Sequence, residues 1–248
     1  MIITIDGPSG SGKTTLAKKL TKFLNENTDK NFEVLDTGAM FRALTLYLNE
    51  NFKYMDLLPK DIDHDENLNK KLELKKVLEG FKFDILSSTK EGKKYILCGK
   101  DITKDIRDMS KLKYISEVSA TKILREFLLT LQRDKSKGKN IVVEGRDTGS
   151  VVFKDADFKY YLDAPLKVRA IRRYKEENEI LENLSYFDVK DNDKYIKVYN
   201  SLKKRDKIDS SREVAPLVIP ENADVINNEN LGIDETIEYI WNKIKFKI

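Results

Sequence analysis

Histidine and cysteine are almost missing from this 248-residue chain, which has only His64 and Cys98. A single cysteine excludes an intramolecular disulfide, and the pair together excludes a cysteine/histidine zinc cluster. Ser-His-Asp and Cys-His mechanisms would both have to run through His64. That residue lies in Asp61-Ile62-Asp63-His64-Asp65-Glu66, which reads as a solvated acidic loop. Catalysis is therefore expected to proceed without histidine, and phosphoryl transfer, which works by positioning and electrostatics, is a chemistry that can. Long apolar runs are absent as well: no stretch approaches the ~20 residues of a membrane-spanning helix. A first strand from Ile2 leaves no room for a signal peptide, so a cytoplasmic protein with no membrane partner is expected. With 40% apolar and 35% charged residues, the chain is expected to be soluble and to bury a full core as one domain, 1–248, with insertions.

Arginine is scarce too. The basic residues number 46, of which only ten are arginine, and 42 acidic residues leave a net charge of +4. This balance does not leave a nucleic-acid footprint. Lysine evidently supplies the generic surface charge, so arginine marks places that need a planar, bidentate fork on phosphate or carboxylate.

What is present is Gly7-Pro8-Ser9-Gly10-Ser11-Gly12-Lys13-Thr14. It reads G-x-x-x-x-G-K-[ST], a phosphate-binding loop. Ile2-Ile3-Thr4-Ile5 before it has strand character, and Leu16, Leu20, Phe23 and Leu24 behind it form a helical stripe. The motif needs strand, loop and helix in that order. Glycines let the backbone wrap phosphate oxygens, and the helix N-terminus adds partial positive charge. Lys13 suits the β- and γ-phosphates, and the Thr14 hydroxyl suits Mg²⁺. By itself the loop specifies only nucleotide phosphates.

Farther along, Phe32–Asp36 reads as a second strand, and Asp36-Thr37-Gly38-Ala39-Met40-Phe41-Arg42 opens a helix through about Leu48. This unit can place Thr37 and Arg42 beside a second ligand. From Asp56 to Lys104 the character changes to a lysine-rich helix (68–78) and short alternating segments with turn residues Glu91-Gly92. A small antiparallel sheet is expected there. Helical periodicity returns from Ser110 to about Lys135, a stretch carrying Ser116 and Arg125. Asn140 to Asp147 is a buried strand ending in charge, and strand ends collect ligands in open α/β sheets, which makes Arg146 and Asp147 site candidates. After the strand Phe158–Asp163, Pro165 suits a helix start. Arg169, Arg172 and Arg173 are spaced to share one helical face, as an arm that could close over phosphates. A polar helix (190–206) leads to Arg205 through Leu217, and a strand (223–226) and a last helix end the chain.

The motifs I-T-I-D-G-P-S-G-S-G-K-T-T, L-D-T-G-A-M-F-R, V-E-G-R-D-T-G-S-V-V-F and R-D-x-I-D-S-S-R-E-V-A-P-L, running from residue 3 to 217, resemble the bacterial cytidylate kinases, which phosphorylate CMP with ATP. The resemblance implies an α/β fold, a parallel-sheet P-loop core with helices on both faces, a monophosphate-binding region (37–105, its insertion about 56–104) and a helical lid (165–190). It implies ATP phosphates on Gly7, Pro8, Ser9, Gly10, Ser11, Gly12, Lys13, Thr14 and Thr15. It puts Thr37, Arg42 and Arg146 at the CMP phosphate, with Ser116, Arg125 and Asp147 reading the cytosine edge; Phe41 has either a place beside the substrate or one in the core. Arg205, Asp209 and Arg212 would face ribose and phosphate, and Arg169, Arg172 and Arg173 would act from the lid. Lys13, Arg146 and the lid arginines are the implied catalytic cations, with Mg²⁺ on Thr14 and ATP as donor. A monomer acting on CMP and dCMP is expected. Nine of the ten arginines, including Arg107, fall on family positions, and Arg133 does not.

Three positions depart from the pattern. Thr37 keeps the hydroxyl of a common Ser, Phe41 loses that of a common Tyr, and Glu144 replaces the usual Asp, moving a carboxylate outward by one methylene. A kinase for another small acceptor such as UMP or dTMP stays open, as does a nucleotide-gated switch, although no N-K-x-D motif is present.

Overall fold

In chain order the elements are β1 (Ile2–Asp6), α1 (Lys13–Asn27), β2 (Phe32–Asp36), α2 (Thr37–Asn51) and α3 (Leu68–Glu79). Then follow β3 (Phe83–Thr89), β4 (Gly92–Leu97), β5 (Lys100–Asp101), α4 (Ile115–Ala120), α5 (Lys122–Ser136) and β6 (Asn140–Glu144). The last are β7 (Phe158–Asp163), α6 (Leu166–Glu177), α7 (Tyr186–Val189), α8 (Asp193–Ser211), β8 (Asp224–Asn227) and α9 (Ile233–Ile244). The structure is a computed structural model. It describes residues 1–89, 92–181 and 183–248, without the side chains of 87–89 and 92. The chain forms two compact units, one of Met1–Leu35 with Ser136–Ile248, the other of Asp36–Lys135.

The first unit is built on a five-stranded sheet in the order β2-β6-β1-β7-β8. β1 pairs in parallel with β6 and β7, and β7 with β8. A strand in the middle of a parallel sheet is covered on both faces, which is why Ile3, Thr4, Ile5 and Asp6 are all fully buried. α1 buries Leu16, Ala17, Leu20 and Leu24 in the same core, to which α9 adds Ile237, Ile240 and Ile244. Each buried leucine or isoleucine among them contributes about 1.5–3 kcal/mol. A smaller cluster of Ala170, Tyr174, Val189, Tyr195 and Leu202 joins α6, α7 and α8.

The expected polar helix at 190–206 is displaced toward the C-terminus. Asn192 caps it by accepting from the amides of Lys194 and Tyr195, so it starts at Asp193. It runs on to Ser211, which puts Arg205 and Asp209 on one helix, one turn apart.

In the second unit, α2 starts where the Asp36 carboxylate accepts from the Ala39 amide at 2.7 Å. The expected small sheet is β3-β4-β5, antiparallel, with Phe83 opposite Leu97 and Ile85 opposite Tyr95. Of the expected turn residues Glu91-Gly92, Glu91 lies outside the described residues and Gly92 opens β4. The periodic stretch 110–135 is not one helix. Thr121 is extended (φ −75°, ψ 121°), and its hydroxyl turns back onto the Glu117 carbonyl at 2.7 Å. Its own carbonyl accepts from the Arg125 amide. A threonine hydroxyl competing for backbone in this way separates α4 from α5.

Candidate active site

The phosphate loop leaves the carboxyl end of β1 and enters α1, the place where open parallel sheets bind ligands. Gly7 has φ +148°, and a Cβ there would lie 2.1 Å from the Leu162 carbonyl oxygen, so no side chain fits between the loop and β7. Pro8, Ser9, Gly10, Ser11 and Gly12 complete the loop, and Lys13, Thr14 and Thr15 form the first turn of α1, whose amides have no partner within the helix.

Lys13 is buried and folds back, its Nζ donating to the Pro8 carbonyl at 2.7 Å and to Ser11 Oγ at 3.3 Å. Burial first, and then the charge of Arg146, lower its pKa from 10.5 to about 7. The ammonium is therefore held where an anion would be strongly welcome. Thr14 Oγ1 donates at 2.6 Å to Glu144 Oε1, at the carboxyl end of β6. Two hard oxygen donors thus stand together at the mouth of the loop. Among the described residues, no three His, Cys, Asp or Glu side chains group as a metal site.

Past β6 the chain makes a single π-helical turn, Thr148–Val152, directly after Arg146 and Asp147. Asp6, at the end of β1, organises it. Its carboxylate accepts from the Thr148 amide (2.8 Å), the Thr148 hydroxyl (2.8 Å) and the Gly149 amide (2.7 Å). Burial raises the Asp6 pKa, against the lowering effect of these bonds. Gly149 is required here, because a Cβ would stand 2.7 Å from Thr4 Oγ1.

Arg146, Asp147, Arg205, Asp209 and Arg212 come together in the same unit. Asp209 is fully buried and is the hub: Arg146 Nε donates at 3.1 Å and Arg205 Nε at 3.2 Å, and Arg212 Nη1 lies 3.6 Å away. Arg212 Nη2 lies 3.6 Å from Asp147, and its Nε donates to the Ala215 carbonyl at 2.6 Å. Ala215 sits in the left-handed region (φ +51°), a conformation that costs a non-glycine residue about 1–2 kcal/mol. Burial alone would raise the Asp209 pKa, but Arg205, Arg146 and Arg212 outweigh it and the net shift is downward. Three guanidiniums around two carboxylates leave an excess of positive charge.

The arginines of α6 do not act as one face. Arg169 is buried; it donates to the Ala164 and Ser9 carbonyls (both 2.8 Å) and pairs with Asp206 at 2.7 Å. Arg172 donates to the Asn228 side-chain oxygen (3.1 Å) and carbonyl (2.6 Å). Arg173 pairs with the more exposed Glu176 and Glu177.

The remaining candidates lie in the unit 36–135. Thr37 is the buried first residue of α2, and Arg42 pairs with Asp36 at 3.3 Å. Arg125 is buried, donates to the Ser119 carbonyl at 2.7 Å, and has its guanidinium 5.1 Å from the Phe41 ring centroid. Ser116 lies in α4, its carbonyl accepting from Ser119. Tyr95 reaches the Asp36 carboxylate from β4 at 3.4 Å.

Asp6, Glu144, Asp206 and Asn228 were missed as site residues by sequence reasoning. The first three sit inside or beside the quoted motifs, and the Glu144 departure was a signal. Asn228 lies in no motif.

The family model described as cytidylate kinase matches residues 3–246. Proteins named cytidylate kinase are similar along nearly the whole length. The one from Caldanaerobacter subterraneus subsp. tengcongensis is 39% identical over 98% of this chain and 94% of its own. Those from Fusobacterium nucleatum subsp. nucleatum (38% identical, over 99% of this chain and 97% of its own) and Thermodesulfovibrio yellowstonii (35%, over 98% and 97%) are also similar over nearly their full length.

Proposed function

This chain belongs to the cytidylate kinase family, and on that premise we propose that it transfers the γ-phosphoryl group of ATP to CMP. The observation that carries the reading is that buried Lys13, folded onto the phosphate loop at the end of β1, and Arg146, held by Asp209 at 3.1 Å just past the end of β6, lie in one unit at the carboxyl edge of the parallel sheet. Two buried or half-buried cations repel one another strongly enough to help lower the Lys13 pKa to about 7. Such a pair is stabilised by a polyanion, and two phosphate groups meeting at a transfer point supply one.

The chemistry needs no general base. A phosphate monoester has its second pKa near ~6, so the acceptor oxygen is already largely ionised at neutral pH. The task is to bring two polyanions into line and to keep water away. Lys13 swings from the Pro8 carbonyl to the β- and γ-phosphates, while the loop amides hold the donor. Arg146 stabilises the passing phosphoryl group and is kept in orientation by Asp209, which cannot take a proton from it.

Arg205, Asp209 and Arg212 serve the sugar and phosphate of the acceptor, with Asp147 at the base. In the unit 36–135 we assign Thr37 and Arg42 to the acceptor phosphate and Ser116 and Arg125 to the cytosine, with Phe41 packing beside Arg125. Of the lid arginines, Arg173 is the readiest to engage phosphate, because its present partners are exposed and worth little. Arg169 and Arg172 would act chiefly by holding the loop.

Mg²⁺ fits the donors present: Mg²⁺ is bound through one or two carboxylates together with substrate phosphates, and Thr14 and Glu144 provide a hydroxyl and a carboxylate. When bound, it would neutralise phosphate charge. We extend the acceptor class to dCMP, because Asp209 already has three arginine partners without a sugar hydroxyl. Incubated with ATP, Mg²⁺ and CMP, the protein is expected to form ADP and CDP one for one. ADP without CDP would overturn the reading.

A further inference from the structure

We propose that Asn228 is a positioning residue for the phosphate loop: its carboxamide sets the Ser11–Gly12 peptide so that the Gly12 amide faces the donor phosphates, and Arg172 locks the carboxamide in that orientation. The inference rests on the donor role proposed for the loop.

Asn228 follows β8 and is only 2% exposed. All of its polar groups are engaged. Its amide donates to the Asp163 carbonyl at 2.9 Å, its Nδ2 donates to the Ser11 carbonyl at 2.8 Å, and its Oδ1 and main-chain oxygen accept from Arg172 at 3.1 and 2.6 Å. The direction of the carboxamide follows from chemistry. A guanidinium has donors only, so it must face Oδ1, and a carbonyl has only acceptor sites, so it must face Nδ2. Arg172 thereby determines which end of Asn228 meets the loop.

The consequence for the loop is geometric. A trans peptide is planar, with its C=O and N–H on opposite sides. Drawing the Ser11 carbonyl toward Asn228 turns the Gly12 N–H the other way, into the concavity of the loop. Gly12 has φ +95°, a left-handed conformation of the kind from which anion-binding nests are made. Arg169 does the same two residues earlier: its hold on the Ser9 carbonyl turns the Gly10 N–H inward, at φ +76°. Neither glycine amide has a protein partner among the described residues. The two amides are thus set by two outside clamps before any nucleotide binds, and preorganisation of this kind reduces the cost of binding.

Asn228→Asp separates the two halves of the clamp. It keeps the acceptors for Arg172 but puts a carboxylate oxygen against the Ser11 carbonyl. Calorimetry is expected to show ATP affinity reduced at least about tenfold, equivalent to ~1.4 kcal/mol, with CMP affinity within about twofold of wild type. In turnover, KM for ATP rises and KM for CMP does not. Asn228→Ala, which removes the donor without adding charge, carries the test should the first variant unfold, and is expected to change the same two quantities in the same directions. A parallel loss of ATP and CMP binding would mark Asn228 as merely structural and overturn the inference, as would unchanged ATP affinity in a folded variant. In the wild-type protein, the ¹⁵N–¹H resonance of Gly12 is expected to shift on adding ATP, and a stationary resonance in an ATP-saturated sample would also overturn it. Wild type that binds no ATP at all would instead overturn the donor role of the loop.

Discussion

Thr14 and Glu144, 130 residues apart in the chain, share a 2.6 Å hydrogen bond from the hydroxyl of the first turn of α1 to the carboxylate closing β6. The bond joins the phosphate loop to the segment that carries Arg146. It also gives the longer Glu144 side chain a use: it reaches the hydroxyl that a Mg²⁺·ATP complex would share. Glu144→Gln is expected to raise the Mg²⁺ concentration needed for half-maximal turnover by about 10–100-fold, the usual effect of disturbing a metal's immediate support. An unchanged Mg²⁺ dependence would remove Glu144 from that role.

Lys13 supplies a pH prediction. Burial and Arg146 lower its pKa from 10.5 to about 7. Between these values the unfolded chain holds a proton that the folded one does not, so Lys13 makes stability rise with pH across the window from about 7 to 10.5. A bound triphosphate restores the charged form. ATP binding at pH 8 is therefore expected to take up a fraction of a proton, measured by calorimetry in buffers of different ionisation enthalpy. Lys13→Met should abolish the uptake. Equal uptake in the variant would place the proton elsewhere.

Much of this site was legible in the sequence. Strand, loop and helix follow from an apolar β-branched run, a glycine-rich loop and a helical apolar stripe, and the scarcity of arginine marks all ten as candidates, of which Arg146, Arg205 and Arg212 converge on one carboxylate. What could not be read was the choice of partner. The spacing of Arg169, Arg172 and Arg173 places them along one helix, yet their guanidiniums reach Ser9, Asn228 and Glu177, because each long side chain follows the nearest acceptor in the folded chain rather than the helix periodicity. Ser9 and Arg169 are 160 residues apart, and no local pattern encodes such a contact. The end of α4 was lost for a similar reason, since apolar periodicity runs through Thr121 while its hydroxyl interrupts the backbone ladder.

Asp6, which ends β1 just before the phosphate loop, also supports the turn that follows Arg146 and Asp147. It satisfies three donors of the turn after Arg146, and Asn offers one carbonyl oxygen in place of two. Asp6→Asn is expected to destabilise the fold by about 1–3 kcal/mol, the cost of a buried donor left unpaired, as read from denaturant unfolding. KM for CMP should rise more than KM for ATP, because the turn directly follows Arg146 and Asp147 and fixes the chain that leads out of them. A stable variant with unaltered kinetics would contradict the role.

Asp209 has its pKa lowered because three arginines outweigh its burial. A lowered carboxylate contributes stability that is present above the unfolded value of 3.8 and is lost as pH falls through the folded value. Asp209→Asn is expected to lose about 3–5 kcal/mol at pH 7, as when one partner of a buried ion pair is removed. The difference in stability between variant and wild type should narrow as pH falls below about 4. A difference that stays constant from pH 7 to pH 3 would show that the charge of Asp209 contributes nothing.

The central claim is that the acceptor is a cytidine monophosphate, and the direct measurement is ATP consumption with Mg²⁺ across CMP, dCMP, UMP, AMP, dTMP and no acceptor. The account predicts fast turnover with CMP and dCMP and little with the others. Preference for another monophosphate would contradict the assignments of Ser116, Arg125 and Asp147, and turnover that needs no acceptor would contradict the kinase reading itself.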